Sequence, residues 1–180
     1  MSSPLLDLGG GAEVRILEPD DAGEVWRLVD GERERLRRWM PWVDGTTGPG
    51  DTGAFIAHAR ACDELDGLGI FVDGAYVGGI GLRVDAGRRD GEIGYWIGAD
   101  HEGRGLVTRA SRGLIGHAFG PLGLHRVTIR VGPENTRSRA IPERLGFTEE
   151  GRMREAGRGG DGPYDLVVYG LLVGEWSRAP

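Results

Sequence analysis

The stretch EIGYWIGADHEGRGLVTRA, Glu92 to Ala110, limits the fold more than any other part of the chain. Ile93, Tyr95 and Ile97 alternate with Glu92, Gly94 and Trp96, the period-two pattern of a strand. The alternation then stops, Gly103 and Gly105 bracket Arg104, and Leu106, Ala110, Leu114 and Ala118 recur at helical spacing. A strand that feeds a helix through so short a turn sets the helix N-terminus at its own C-terminal end. The first amides of that helix have no acceptor within it, and the helix dipole adds partial positive charge there. Glycines keep such amides open to an anion, so the turn is either a plain connection or a phosphate seat. It is not a dinucleotide fingerprint, because Thr108, Arg109 and Ala110 follow with no further glycine.

The rest of the chain reads as elements around one core. EVRIL (13–17) is a strand, and EPDD starts a helix whose inner face carries Ala22, Val25, Trp26 and Val29. GERERLRRW continues as a charged helix ending near Pro41, and 41–50 is a loop of breakers. Asp51 or Thr52 caps a helix to about Leu65, with Phe55, Ile56 and Ala59 on one face. LGIFVDGAYVGGIGLRV is a hairpin turning at Asp73-Gly74. HRVTIRV (125–131) is a strand, TRSRAIPERLG a helix closed by Gly146, and FTEEGRMRE a strand. A glycine-rich loop at 157–162 precedes the strand YDLVVYGLLV. The order β-α-α-α-β-β-β-α-β-α-β-β predicts one mixed α/β (α+β) domain over 13–178. Its sheet is mostly antiparallel, with a parallel pair near 92–98 and 125–131. Residues 1–12 are expected to form a flexible N-terminal extension.

Composition removes several chemistries. All 22 basic residues are arginine, so neither Schiff-base lysine catalysis nor a P-loop lysine is available. A net charge of −6 disfavours nucleic acid and suits a cationic partner such as an amine. No apolar run approaches a membrane span, no signal-peptide layout opens the chain, and the cytoplasm is the expected compartment. Cys62 has no CxxC partner, and His58, His101, His117 and His125 lack ligand spacing, so no metal is expected. No G-x-S-x-G elbow is present.

A second motif, GPENTRSRAIPERLGF, leaves the strand at 125–131. Asn135 and Ser138 fall where a chain enters a helix, so capping alone accounts for them. Their distance from EGRG is what capping leaves unexplained. With GEIGYWIGADHEGRGLVTRA, NTRSRAIPERLGFTEEG and YDLVVYGLLVGEW in order, and VRILEPDDAGEVWRLV and LRRWMPWVD upstream, the chain resembles the GCN5-related N-acetyltransferase (GNAT) superfamily. The likeness is to its RimJ/RimL branch, the ribosomal-protein N-terminal acetyltransferases, and covers about residues 13–176.

The resemblance implies a V-shaped opening between the two parallel strands with acetyl-CoA lodged in it. Pantetheine would lie along Ile97, Gly98 and Ala99. The pyrophosphate would sit on Gly103, Arg104, Gly105, Leu106, Val107 and Thr108. Asn135 and Ser138 would line the thioester end, and Arg139 or Arg144 would meet outer phosphates. Two departures stand out. Glu102 occupies a position where the superfamily often carries Gln or Arg. Pro142 aligns with the superfamily's frequent tyrosine acid, which leaves Ser138 or bulk water to protonate the leaving thiolate.

Deprotonating an amine needs a base, and Glu92, beside the expected acyl site, is the candidate; as a bland alternative it is a solvated strand-edge acid. Trp39, Met40, Pro41 and Trp42 are either core or an acceptor-site wall, with Asp44 and Asp51 able to attract a cationic amine. The expected activity is acetyl transfer from acetyl-CoA to a primary amine, on a protein N-terminus or a small molecule, by direct attack in a ternary complex. A strand amide near Ile97 or Gly98 would polarise the thioester carbonyl. A non-catalytic acyl-CoA-binding module and a transferase using a longer donor such as succinyl-CoA are the competing readings. The chain is expected to act as a monomer or homodimer.

Overall fold

A computed structural model describes residues 5–61 and 65–176. Cys62 lies outside the described residues. Eight strands form one sheet in the order β1-β2-β3-β4-β5-β6-β8-β7. β1 (Leu6–Gly9) and β2 (Ala12–Ile16) are the outer hairpin, followed by β3 (Leu65–Val72), β4 (Ala75–Asp85) and β5 (Asp90–Ile97). β6 (Arg126–Val131), β7 (Thr148–Gly159) and β8 (Gly162–Leu172) complete the sheet. Helices α1 (Ala22–Gly31), α2 (Arg33–Leu36) and α3 (Pro49–Ala61) lie between β2 and β3. α4 (Leu106–Phe119) crosses from β5 to β6, α5 (Thr136–Arg144) joins β6 to β7, and a short α6 (Val173–Trp176) follows β8.

The β3–β4 turn is the predicted one: Asp73 and Gly74 both take positive φ, as a two-residue hairpin turn with the right twist requires. β5 then pairs with β4 over its full length, from Gly78↔Ile97 to Asp85↔Asp90. The parallel β5–β6 pair is different. It holds only from Asp90↔Arg126 to Glu92↔Thr128, after which the strands separate. Ile93 to Ile97 therefore leave β6 and open a cleft in the middle of the sheet.

Two apolar layers hold the helices to the sheet. On one side α4 presents Leu106, Ala110, Leu114 and Ala118 to Val14, Ile70, Leu82, Ile93 and Val127. On the other, Val25 and Val29 of α1 and Ile56 of α3 pack on Leu17, Phe71 and Tyr76. Each fully buried aliphatic side chain contributes about 1.5–3 kcal/mol. Where β5 and β6 part, β5 stays paired to β4 and β6 to β8, so each strand keeps its own neighbour along the cleft.

Two expectations need correction. The segment expected as a flexible extension contains β1, whose Leu6 packs on Gly113 of α4, where a Cβ would fall 2.6 Å from Leu6 Cδ1. The expected loop at 157–162 is instead the end of β7 and the start of β8, with a turn only between Gly159 and Gly162. Gly157 and Gly159 are there for close packing, since a Cβ would run into the Tyr164 ring at the first and the Arg38 carbonyl at the second.

Candidate active site

The turn before α4 begins with Ala99–His101 and ends at Gly105, the N-cap, with φ of 71°. Gly103 also has positive φ, at 72°. Among the described residues, the amides of Gly103, Arg104, Gly105, Leu106, Val107 and Thr108 meet no backbone or side-chain acceptor, and no side chain caps the helix. A Cβ on Gly103 would stand in open space. The result is a run of bare donors at a positive helix end, which is the physical definition of an anion cradle. Arg104 holds its guanidinium 3.0 Å from His101 Nδ1, beside the cradle.

Glu102 is tied on both sides. One carboxylate oxygen accepts from Arg35 Nη1 at 2.8 Å and the other from Arg137 of α5. The acid at the edge of the cradle thus comes with two guanidiniums that neutralise it. Arg35 also donates to the Ile97 carbonyl at 2.5 Å and pairs with Glu32 at 2.6 Å, and Glu32 accepts from the Ala99 amide at 2.7 Å. Burial works against the charge of Glu32, but the Ala99 amide and Arg35 outweigh it and hold its carboxyl below the usual range. The Gly98 amide donates to Val77 at 2.8 Å, so it extends the sheet. Here Ile97, Gly98 and Ala99 all have polar backbone groups engaged within the chain.

The closed end of the cleft, where β5 and β6 part, carries Glu92. Its carboxylate lies 3.3 Å from Arg83 of β4 and is also paired to Arg130 of β6. Across the cleft, Asn135 Oδ1 accepts from the Ser138 amide at 3.3 Å, as a helix cap does. Ser138 sits at the first turn of α5, and its Oγ is 3.2 Å from the Tyr95 hydroxyl. That hydroxyl donates to the Ser138 carbonyl at 3.0 Å. The arrangement has a cause in the sequence: Pro142 has no N–H, so the carbonyl four residues earlier has no helical donor, and Tyr95 supplies one. Burial pushes the Tyr95 hydroxyl well above the ordinary phenol range, which suits an orienting donor better than an acid. Arg139 turns the other way, donating to the Tyr169 hydroxyl at 2.9 Å and pairing with Glu149 at 3.3 Å. Arg144 lies exposed in the last turn of α5.

On the α1–α3 side of β4 and β5 lies a cavity of about 430 Å³. Trp39 and Trp42 line it, joined by Phe55, Tyr76 and Trp96. Asp51 and Asp66 are also in its wall, whereas Asp44 lies outside the lining and pairs with Arg37 at 3.3 Å. The α1–α3 residues thus supply one wall and β5 the other, and the strand that borders the cavity also borders the cleft. Sequence reasoning missed Arg35, Arg137, Tyr95, Asp66 and the aromatic partners of Trp42. Only one of these had a local signal: Pro142 inside a helical pattern announces an orphan carbonyl that some distant donor must meet. Among the described residues, no group of three or more His, Cys, Asp or Glu could hold a metal ion, and no helix is long and apolar enough to cross a membrane.

Residues 13–148 match the family described as acetyltransferase (GNAT) domain. YdaF of Bacillus subtilis (strain 168), whose name assigns it provisionally as a ribosomal N-acetyltransferase, is 38% identical over 169 residues, 91% of this chain and 92% of its own. A crystal structure described as a probable acetyltransferase superposes with a TM-score of 0.86 at 35% identity, covering 94% of this chain and 97% of that one. RimJ of Mycobacterium smegmatis, in complex with CoA-disulfide, superposes with a TM-score of 0.83 at 26% identity, covering 93% and 85%.

Proposed function

The chain belongs to the GNAT acetyltransferase family, and from that membership we propose that it moves an acetyl group from acetyl-CoA to a primary amine by direct attack in a ternary complex. The observation that carries the reading is the run of unpaired amides from Gly103 to Thr108 at the end of a strand that has left its parallel neighbour. Those donors fit a pyrophosphate, and the cleft beside them is where the rest of a CoA chain fits. Pantetheine then takes the place that Arg35 and Glu32 now occupy on the backbone at Ile97 and Ala99.

In this reaction the amine nitrogen attacks the thioester carbonyl carbon, the C–S bond breaks, and an amide and CoA thiol result. The bound ammonium first gives a proton through a water to Glu92, which passes it to solvent; the free amine then attacks, and its nitrogen loses a second proton by the same route as the amide forms. Glu92 is paired to Arg83 and Arg130, and the looser Arg83 pair is the one an approaching ammonium displaces. Ser138 Oγ, which donates to the Tyr95 hydroxyl at rest, turns its proton to the departing sulfur and regains one from solvent. Asn135 fixes α5 so that Ser138 faces the cleft. The acceptor occupies the cavity walled by Trp39 and Trp42, which meets the cleft at β5.

The test is to mix protein, acetyl-CoA and a panel of primary amines and follow free thiol, with calorimetry of acetyl-CoA binding alongside. Amine-dependent thiol release supports transfer. Saturable binding with no release on any amine overturns it in favour of a binding module.

A further inference from the structure

The acceptor cavity has a shape that narrows the amine it serves. Its floor is the inner face of β4 and β5, and there the chain places Gly79, Gly81 and Gly94. None of them has positive φ, so the backbone does not call for glycine. Glycine within a strand costs about 0.5–1 kcal/mol and marks a place where something approaches closely. A Cβ on Gly94 would project into open space, whereas one on Gly79 would fall 2.6 Å from Trp96 Nε1. The floor is therefore flat at Gly94 and tightly covered at Gly79.

The walls are aromatic. Trp42 lies 6.1 Å from Trp96, and Trp96 lies 5.9 Å from Tyr76. Trp42 and Phe55 remain 43% and 46% exposed, large apolar faces with nothing laid over them. The Trp42 wall is fixed in place, because Arg33 donates to the carbonyls of Val43 at 2.5 Å and Thr46 at 2.6 Å. Polar groups are few. Thr52 Oγ1 is buried in the wall and, among the described residues, meets no hydrogen-bond partner. The Asp66 carboxylate rests against Gly81.

A peptide N-terminus laid in such a cavity would need donors and acceptors for its own amides. The floor does not supply them, since it is the face of β4 and β5, and strand amides and carbonyls point within the plane of the sheet toward neighbouring strands and not up into the cavity. A flat ring has no such need and gains from stacking on aromatic faces. A volume of about 430 Å³ suits a body of one or two rings. Gly94 lies two residues along the strand from Glu92, so an amine on a short arm reaches the cleft.

We propose that this cavity is a slot for a small primary amine carried on a flat aromatic body. The proposal rests on the acceptor reading above and specifies its substrate class. Tryptamine and phenethylamine are compared with hexylamine and a serine-initiated tetrapeptide, by thiol release and by quenching of tryptophan fluorescence. The expected kcat/KM for the aryl amines is at least tenfold above both others. Gly94→Val, which fills the slot without backbone strain, and Trp42→Ala, at an exposed position, should each raise the tryptamine KM at least tenfold. Their acetyl-CoA affinity and unfolding midpoint should stay as in the parent.

A tetrapeptide or hexylamine turned over as well as tryptamine overturns the slot and leaves acetyl transfer standing. Saturable quenching by tryptamine with no thiol release on any amine upholds the slot and sinks the transfer reading. Tryptamine kinetics unchanged in both variants overturn the slot.

Discussion

At Glu92 two guanidiniums compete for one carboxylate, and that competition decides how the residue can act. Arg83 and Arg130 both pair with it, so as a base it must shed part of an ion pair before it takes a proton. If it does so, Glu92→Gln should lower kcat about 10²-fold at neutral pH, within the usual range for losing a general base. Acetyl-CoA affinity should stay within about twofold, since the pyrophosphate seat is a separate set of amides. Thiol release followed across pH 6–9 checks this, and a profile identical to the parent would remove Glu92 from the reaction. Tyr95 and Pro142 allow a sharper experiment. Tyr95→Phe leaves the Ser138 carbonyl without a donor, a loss of about 1–3 kcal/mol for a buried group. Pro142→Ala returns an N–H to α5, four residues along from that carbonyl. In urea unfolding the double variant should recover most of what Tyr95→Phe loses, a coupling of at least about 0.5 kcal/mol. Additive effects would show that the two residues do not share the carbonyl. The places of Glu92 on a strand and of Ser138 in the first turn of a helix were legible in the sequence. Their partners were not, because Arg83, Arg130 and Tyr95 meet them only after strands distant in the chain are laid side by side.

The element that seats the proposed cofactor is α4, whose two ends make different use of glycine. Gly103, in the turn that leads into it, has φ of 72°, the left-handed conformation in which that turn presents its bare amides. Gly116, near its C-terminal end, is exposed, has helical φ, and has nothing within 4 Å of where a Cβ would stand. Gly103→Ala should therefore destabilise by about 1–2 kcal/mol, the cost of a left-handed L-residue. It should also weaken acetyl-CoA at least tenfold, because an L-residue that relaxes from positive φ turns the Gly103 and Arg104 amides out of the run. Gly116→Ala should stabilise by about 0.5–1 kcal/mol with unchanged affinity. Denaturant unfolding and calorimetry on both variants read the contrast; equal affinities would mean that the turn binds no anion. Periodicity made most elements legible, α4 and β5 above all, because one face of each is buried against a continuous apolar layer. It failed where glycine serves packing. Gly157 and Gly159 read as a loop, yet they let β7 run beneath Tyr164 and Arg38. β1 also escaped, since a strand with only Leu6 and Leu8 as apolar contacts has too few residues to show a period.

Across the whole molecule, acidic and arginine side chains form a chain that spans the cleft. Glu32 is bound to Arg35, Arg35 to Glu102 and Glu102 to Arg137, which links α2 through the α4 turn to α5. No stretch of sequence announces this, because its members lie in three separate segments and each alone reads as a solvated surface charge. It is also why an acid is tolerated at the edge of an anion cradle: the two arginines offset Glu102, and in a chain of net charge −6 they bring positive charge to where phosphates would arrive. Glu102 therefore opposes a bound pyrophosphate directly and, in addition, occupies the guanidiniums that could meet it. Arg137, whose side chain is 83% exposed, is free to swing toward the cradle once Glu102 no longer holds it. Glu102→Gln should tighten acetyl-CoA binding about three- to tenfold, a gain of about 0.7–1.4 kcal/mol of the size expected for a charge near a surface. Much of that gain should vanish as salt is raised from 10 mM to 150 mM, where the screening length falls from about 30 Å to about 8 Å. Calorimetry at the two salt concentrations measures both numbers. Weaker binding by Glu102→Gln at low salt would show the opposite role, with the carboxylate needed to hold Arg35 and Arg137 where they are.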